Sequence, residues 1–231
     1  GYGVYKYENP FFSYEGEWRD GKKQGHGKLI MSDGSYYEGE FDNGEINGHG
    51  FRYYASTGNR YSGQFHMGEL HGQGVMNYAD STVYEGEWTR NKRQGYGIFR
   101  LPDNSIYRGY LFNHLRHGEG TQTYANGDQY DGDWIKGKRH GHGELRCRDG
   151  TIYDGQWVGD HCNGLGTMSH CSGVTYEGQW VNGRPEKMAC RLAIVATEDP
   201  LTVFQGGTFL IQVQTQDEDG NIVECEFFFW G

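Results

Sequence analysis

Residues Tyr130 to Gly143 read YDGDWIKGKRHGHG. The first five alternate aromatic with acidic or small side chains, the period-two pattern of a β-strand that buries one face. IKGK then supplies a polar turn, and the Gly-His-Gly run opens a second strand. Almost the same phrase, YEGEWRDGKKQGHG, runs from Tyr14 to Gly27. A strand–turn–strand phrase written more than once calls for a search along the whole chain.

Tyr-x-Gly-x-aromatic recurs at Tyr14/Trp18, Tyr37/Phe41, Tyr61/Phe65, Tyr84/Trp88, Tyr130/Trp134, Tyr153/Trp157 and Tyr176/Trp180. At Tyr107 the fifth position is Leu111, a degenerate copy. Successive tyrosines stand 23 or 24 residues apart, and a Gly-x-Gly element from Gly1/Gly3 through Gly25/Gly27 to Gly164/Gly166 keeps step. Such regularity specifies a repeat array in which each hairpin stacks on the next. Asp33-Gly34, Asn126-Gly127 and Asp149-Gly150 mark tight turns between units. Short connections make consecutive strands antiparallel neighbours. The fold expected is all-β: an elongated, single-layer antiparallel sheet of about eight consecutive hairpins. Some sixteen strands at ~4.8 Å each would span roughly 75 Å.

Composition agrees with a folded chain of unusual interior. Of 231 residues only 35% are hydrophobic, yet 16% are aromatic and 39 are glycine, so Tyr, Trp and Phe must supply most of the apolar surface. Parity places Tyr14, Gly16 and Trp18 on one side of their strand, and Gly25, Gly27, Leu29 and Met31 share a parity in the next. Both sets are expected on the same side, with rings lying over bare glycines of the neighbouring strand. The net charge of −10 is uneven: residues 191–231 hold seven acidic groups against Arg191 alone. That balance offers nothing to nucleic acid. Five cysteines without a Cys-x-x-Cys pair fit a reducing, cytoplasmic setting. The start at Gly1, in mid-pattern, is read as the start of an excised fragment.

The motif Tyr-x-Gly-x-Trp-x-x-Gly-Lys-x-x-Gly-x-Gly of Tyr130–Gly143 resembles the MORN repeat (membrane occupation and recognition nexus), over about residues 1–183. The resemblance implies a twisted single-layer sheet whose groove is lined by the repeated aromatics. It also implies scaffolding at cytoskeletal or ciliary structures and phosphoinositide binding, and in some relatives fusion to an enzyme. Departures fall at Leu111 and after Trp180, where VNGRPEKM lacks the Gly-x-Gly. A linker is assigned to 184–190. Residues 191–231 hold strand-like runs at Leu192–Val195 and Thr208–Gln214, similar to the opening of an immunoglobulin- or filamin-like sandwich but too short to complete one. Those strands are expected to cover the open sheet edge after Trp180, on their own last repeat or through a homodimer at the C-terminal end.

Rival chemistries fare poorly. His26, His49 and His142 share one slot, but equivalent slots lie ~9.6 Å apart, whereas a zinc ion needs its ligands at ~2 Å. No phosphate-loop motif is present. The carboxylate pairs Glu15/Glu17, Glu38/Glu40, Glu85/Glu87 and Asp131/Asp133 recur too often for a catalytic pair and read as a solvated face. No enzyme activity, metal or cofactor is expected. The turn bases Lys22, Lys23, Lys92, Arg93, Arg116, Lys138 and Arg139 read first as solubilising, with anionic lipid as their alternative ligand. An uncovered aromatic face marks a partner site. The groove residues expected are Tyr14, Trp18, Tyr37, Phe41, Tyr61, Phe65, Tyr84, Trp88, Tyr107, Tyr130, Trp134, Tyr153, Trp157, Tyr176 and Trp180. The function expected is a non-catalytic scaffold holding an extended or helical segment of another protein. A phosphoinositide-binding module, or a regulatory module of a larger protein, stays open as the alternative.

Overall fold

The computed structural model describes residues 1–8, 12–186, 191–195, 212–216 and 222. These fall into two compact units, residues 1–138 and 139–231. The first holds β1 (Tyr2–Lys6), β2 (Ser13–Arg19), β3 (Lys22–Ile30), β4 (Tyr36–Asp42), β5 (Glu45–Tyr53), β6 (Arg60–His66), β7 (Glu69–Asn77), β8 (Val83–Thr89), β9 (Lys92–Arg100), β10 (Ile106–Phe112), β11 (Leu115–Thr123) and β12 (Gln129–Ile135). Each strand pairs antiparallel with its sequence neighbours, as the short connections require. The second unit repeats the meander in β13 (Lys138–Arg146), β14 (Ile152–Val158), β15 (His161–Ser169), β16 (Thr175–Val181) and the two-residue β17 (Arg184–Pro185). No helix occurs among the described residues.

Two turn chemistries alternate. Within a repeat, two residues connect the strands, and both take positive φ: Asp20-Gly21 at 50° and 77°, Asn43-Gly44 at 51° and 97°, Asn113-His114 at 47° and 71°. That is the type I′ hairpin, whose twist matches the strands it joins. The second turn residue donates its N–H to a carbonyl of the preceding repeat, as Gly44 does to Lys23, Gly68 to Ile46 and His114 to Arg93. Between repeats the loop holds three residues. The Met31 N–H donates to Ser35, and Gly34 closes the turn at φ 84°. The 24-residue repeat puts its extra residue here, in the loop closed by Tyr54 and Asn59. The Asp33-Gly34 slot is therefore the looser connection of the two, because Asp33 turns back to accept from Ser35 and needs room to do so.

A β-bulge follows the central glycine of each repeat's first strand, between Gly16 and Trp18, Gly39 and Phe41, Gly63 and Phe65, and onward. It divides the Gly-x-Gly pair into two jobs. The first glycine, Gly25 at φ 63° or Gly95 at 67°, supplies the left-handed backbone of the bulge. The second, such as Gly27 or Gly97, lies beneath a tyrosine ring that a Cβ would penetrate. The rings-over-glycine expectation thus describes the second glycine and not the first.

The C-terminal strands do not join the array's ladder among the described residues. β18 (Arg191–Val195) pairs with β19 (Gln212–Gln216) in a separate two-stranded sheet. The edge beyond β16 is instead blunted by β17, whose Pro185 removes a ladder donor. Of the expected strand at Thr208–Gln214, Gln212–Gln214 fall in β19, and 208–211 lie outside the described residues.

Candidate functional site

In each unit the repeat tyrosines occupy one face, but as its floor. Tyr14, Tyr37, Tyr61, Tyr84 and Tyr130 are wholly buried, with Tyr107 and Tyr153 nearly so and Tyr176 half-buried. Each phenol O–H donates to the carbonyl three residues on, from Tyr14 to Glu17 at 2.9 Å through Tyr176 to Gln179 at 3.0 Å. That carbonyl belongs to the residue at the bulge, and the hydroxyl supplies it with a partner; at Gln179 the Glu186 N–H donates to it as well. Burial pushes the Tyr14 phenol up to about 12 and raises its counterparts at Tyr37, Tyr61, Tyr84 and Tyr107 as well. The hydroxyls expected to line a groove are therefore engaged inside the sheet.

Phe41, Phe65, Trp88, Trp134, Trp157 and Trp180 are buried beside the tyrosines, and Trp18 is half-buried. The indoles donate across to the second glycine of the preceding hairpin: Trp88 to Gly74, Trp134 to Gly120, Trp157 to Gly143. Tyr14, Tyr37 and Tyr61 each meet the aromatic of their own repeat and that of the next edge to face, as in Tyr14–Phe41 at 5.0 Å and Tyr61–Trp88 at 5.5 Å. Such pairs contribute roughly 0.5–1.5 kcal/mol each beyond area burial. In the second unit Tyr153–Trp180 repeats the contact at 5.0 Å. The row stops once in the first unit, between Tyr84 and Leu111.

What lies above this floor comes from slots the repeat motif does not name. Lys23, Ile46, Leu70, Arg93 and Arg116 pair directly opposite Trp18, Phe41, Phe65, Trp88 and Leu111. Leu29, Arg52, Met76, Phe99 and Gln122 pair opposite the tyrosines. Four of the expected turn bases consequently do not stand at the outer edge. Lys23 lies 5.5 Å from the Phe41 ring, Arg93 4.5 Å from Phe99, Arg116 4.1 Å from Trp134, and in the second unit Arg139 4.3 Å from Trp157. Lys22, Lys92 and Lys138, one residue earlier, stay exposed on the other face. The recurring spacing of these slots was visible in the sequence, yet only the bulge register shows that KK or KR splits between two faces.

Two open cavities lie along this face of the first unit. One of about 500 Å³ is bounded by Arg52, Tyr54, Tyr78, Trp88 and His114; the other, of about 380 Å³, by Phe99, Leu101, Tyr107, Leu111, Arg116 and Tyr124. His114 borders both. Its Nδ1 lies 3.3 Å from the N–H and the Nε–H of Arg93 and accepts from both, and partial burial followed by Arg93 and Lys92 lowers its pKa.

The opposite face holds the carboxylates, and one member of three of the four expected pairs is structural. Glu17, Glu40 and Glu87 accept the N–H that follows the bulge glycine, at His26, His49 and Tyr96. Gln64 and Gln156 do the same for Gln73 and Leu165. His26, His49 and His142 are exposed on that face. Among the described residues no group of three His, Cys, Asp or Glu is placed to hold a metal ion. No helix among them is long and apolar enough to cross a membrane.

The MORN repeat family model matches eight successive segments, 14–36, 37–58, 61–83, 84–106, 107–129, 130–152, 153–175 and 176–186. The chain belongs to the MORN-repeat family. MORN repeats are protein- and membrane-binding modules, and the family is non-enzymatic. Among solved structures, the SAS-4 TCP domain of Drosophila melanogaster, in complex with a proline-rich motif of Ana2, is similar at 13% identity and a TM-score of 0.42, covering 68% of this chain and 84% of that one. The TCP10 domain of Danio rerio CPAP is similar at 11% identity and a TM-score of 0.40, over 97% of this chain and 99% of that one. Likenesses this distant carry no information about partners.

Proposed function

We propose that this MORN array is a non-catalytic scaffold whose ring-floored face holds an extended or helical segment of another protein, at cytoskeletal or ciliary structures. The observation that carries it is the pair of adjacent open cavities over the buried rings. Tyrosines and tryptophans fix the floor, while Tyr54, Tyr78, Leu101 and Tyr124 present partly exposed apolar surface above it. Aromatic and arginine side chains in such a setting are the usual anchors of recognition. The floor residues contribute by shape, and the residues of the cavity walls make the contact.

Tyr54→Ala and Tyr78→Ala, checked for retained fold by circular dichroism, are expected to abolish co-purification of the partner and of its cytoskeletal or ciliary position. A partner retained by both variants overturns the reading. The lipid alternative now rests on Lys22, Lys92 and Lys138. Sedimentation with phosphoinositide vesicles is expected to leave the chain in the supernatant, and binding lost with those three lysines would favour the membrane instead.

A further inference from the structure

The two faces of the first unit differ in charge as sharply as in polarity. Every carboxylate within β2 to β12 lies at the outer parity, from Glu15 and Glu17 through Glu85 and Glu87 to Asp131 and Asp133. The inner positions of those strands carry Lys23, Arg52, Arg93 and Arg116 and no acid. On the outer face cations find carboxylates: Lys28 meets Glu38 at 3.1 Å and Arg100 meets Glu85 at 3.3 Å. On the inner face Lys23, Arg52 and Arg93 meet rings and neutral groups within the strands, while the turn carboxylate Asp33, its pKa lowered first by the Ser35 N–H and hydroxyl, also feels the charge of Arg52. Arg52 stands 5.1 Å from the Tyr54 ring and donates to the Gly68 carbonyl, while its Nε is buried without a partner among the described residues. Arg93 donates to the Tyr78 hydroxyl at 3.1 Å. A protein with formal charge −10 has thus concentrated positive groups on the face that carries these two cavities.

The second observation is the break at Leu111. Where Trp88 fills its site and donates to Gly74, Leu111 provides neither ring nor donor, and the 380 Å³ cavity opens beside it. Its walls are Phe99, Leu101, Tyr107 and Leu111, with the amide of Gln122 at one side. That is room for one large apolar side chain.

We propose that the occupant of this face is an acidic segment of another protein carrying a single apolar anchor. Its carboxylates meet Arg52 and Arg93, and its anchor enters the cavity beside Leu111. This rests on the groove reading above and specifies its ligand. Arg52 on β5 and Arg93 on β9 are four strand spacings apart, ~19 Å. The segment therefore needs at least about six extended residues, or about thirteen in a helix. A basic or neutral segment would leave those guanidiniums desolvated without compensation, so the charge also sets which partners are refused.

The test is selection of peptides of about twenty residues, long enough to bridge the two arginines even as a helix, from a random display library on the whole chain, followed by affinity measurement on the selected peptides. Asp and Glu are expected in excess over Lys and Arg, with Leu, Phe or Met fixed at one position. Arg52→Gln with Arg93→Gln is expected to weaken those peptides by at least about tenfold, the effect of losing even 1.4 kcal/mol. Lys28→Gln with Arg100→Gln, on the outer face, leaves them unchanged. Leu111→Trp restores the family residue, keeps the fold and weakens anchored peptides by about tenfold or more. Selected peptides that are neutral or basic, or acidic peptides indifferent to both inner variants, overturn the acidic-ligand proposal alone. A library that yields nothing overturns the groove reading and this proposal with it. Loss of phosphoinositide-vesicle binding in the Arg52/Arg93 variant, with no peptide selected, would assign the cations to lipid headgroups.

Discussion

Residues 84–97 and 107–120 trace the same hairpin, with the same bulge and the same ring over the same glycine, yet nine of their fourteen residues differ, and two of those differences change what each face presents. In the fourth repeat Trp88 completes the aromatic row, and Glu87 accepts the N–H of Tyr96 behind the bulge. In the fifth, Leu111 leaves the row open, and Tyr110 stands where the carboxylate would be, half exposed and edge-on to Tyr96 at 5.6 Å. Backbone geometry survives both losses. Two features cluster where the pattern lapses: a cavity on one face and an aromatic pair on the other. In a repeat array the consensus builds the sheet, and the exceptions give one location an identity.

That contrast can be broken by truncation. Trp88→Ala removes a buried ring and its donor and should cost about 3–5 kcal/mol, while Leu111→Ala, beside a cavity already open, should cost only about 2. Amide hydrogen exchange across β8 to β11 reads both locally, which suits an array that need not unfold in one step. Equal costs would mean that the cavity is closed in solution. Glycine substitution sharpens the same point. Gly97→Ala drives a Cβ into the Tyr84 ring, which Trp88 and Phe99 hold in place, for about 3 kcal/mol. Gly120→Ala meets Tyr107 in the same way, but that ring has space beside Leu111, so about 1–2 kcal/mol is expected from urea unfolding.

Filling the gap runs in the opposite direction. Leu111→Trp should add about 1 kcal/mol and raise the melting temperature, since the indole gains the Tyr107 ring and the Gly97 carbonyl. A lower melting temperature would show that the cavity is too small for the ring. The smallest effect is that of pH. The folded-state pKa of His114 is lowered, so the native state binds fewer protons here than the unfolded chain does. Its contribution is complete above the unfolded value of about 6.5 and fades as pH falls through it toward the folded value. Amide protection factors around Arg93, taken relative to the intrinsic exchange at each pH, should fall over that interval, and His114→Asn should remove that fall while keeping a side chain that accepts from Arg93, as Asn91 does from Leu70.

The hairpins were legible because a 23-residue step and a two-residue alternation reinforce each other over eight copies. The bulge was not, because Gly25 and Gly27 are the same letter serving two needs, one for left-handed backbone and one for a ring's passage. The site was half legible for the same reason. Tyr61 and Trp88 announce a face, but their burial depends on packing from the next repeat, which no single motif contains. Arg93 and Arg116 could be placed on that face only by counting through the bulge.

The two kinds of turn leave each unit with unlike margins. Along one, every connection has two residues, and its N–H reaches back to the repeat before it, so a residue more or less would unseat its neighbour as well. Along the other, loops are tied mainly by their own Asp and Ser or Thr side chains, and the single longer repeat already shows one stretched without disturbing the strands. One margin behaves as a rack with fixed teeth and the other as an expansion joint. Growth, grafted sequence and lineage-specific variation have somewhere to go in such a protein, and that place is a single border of the sheet.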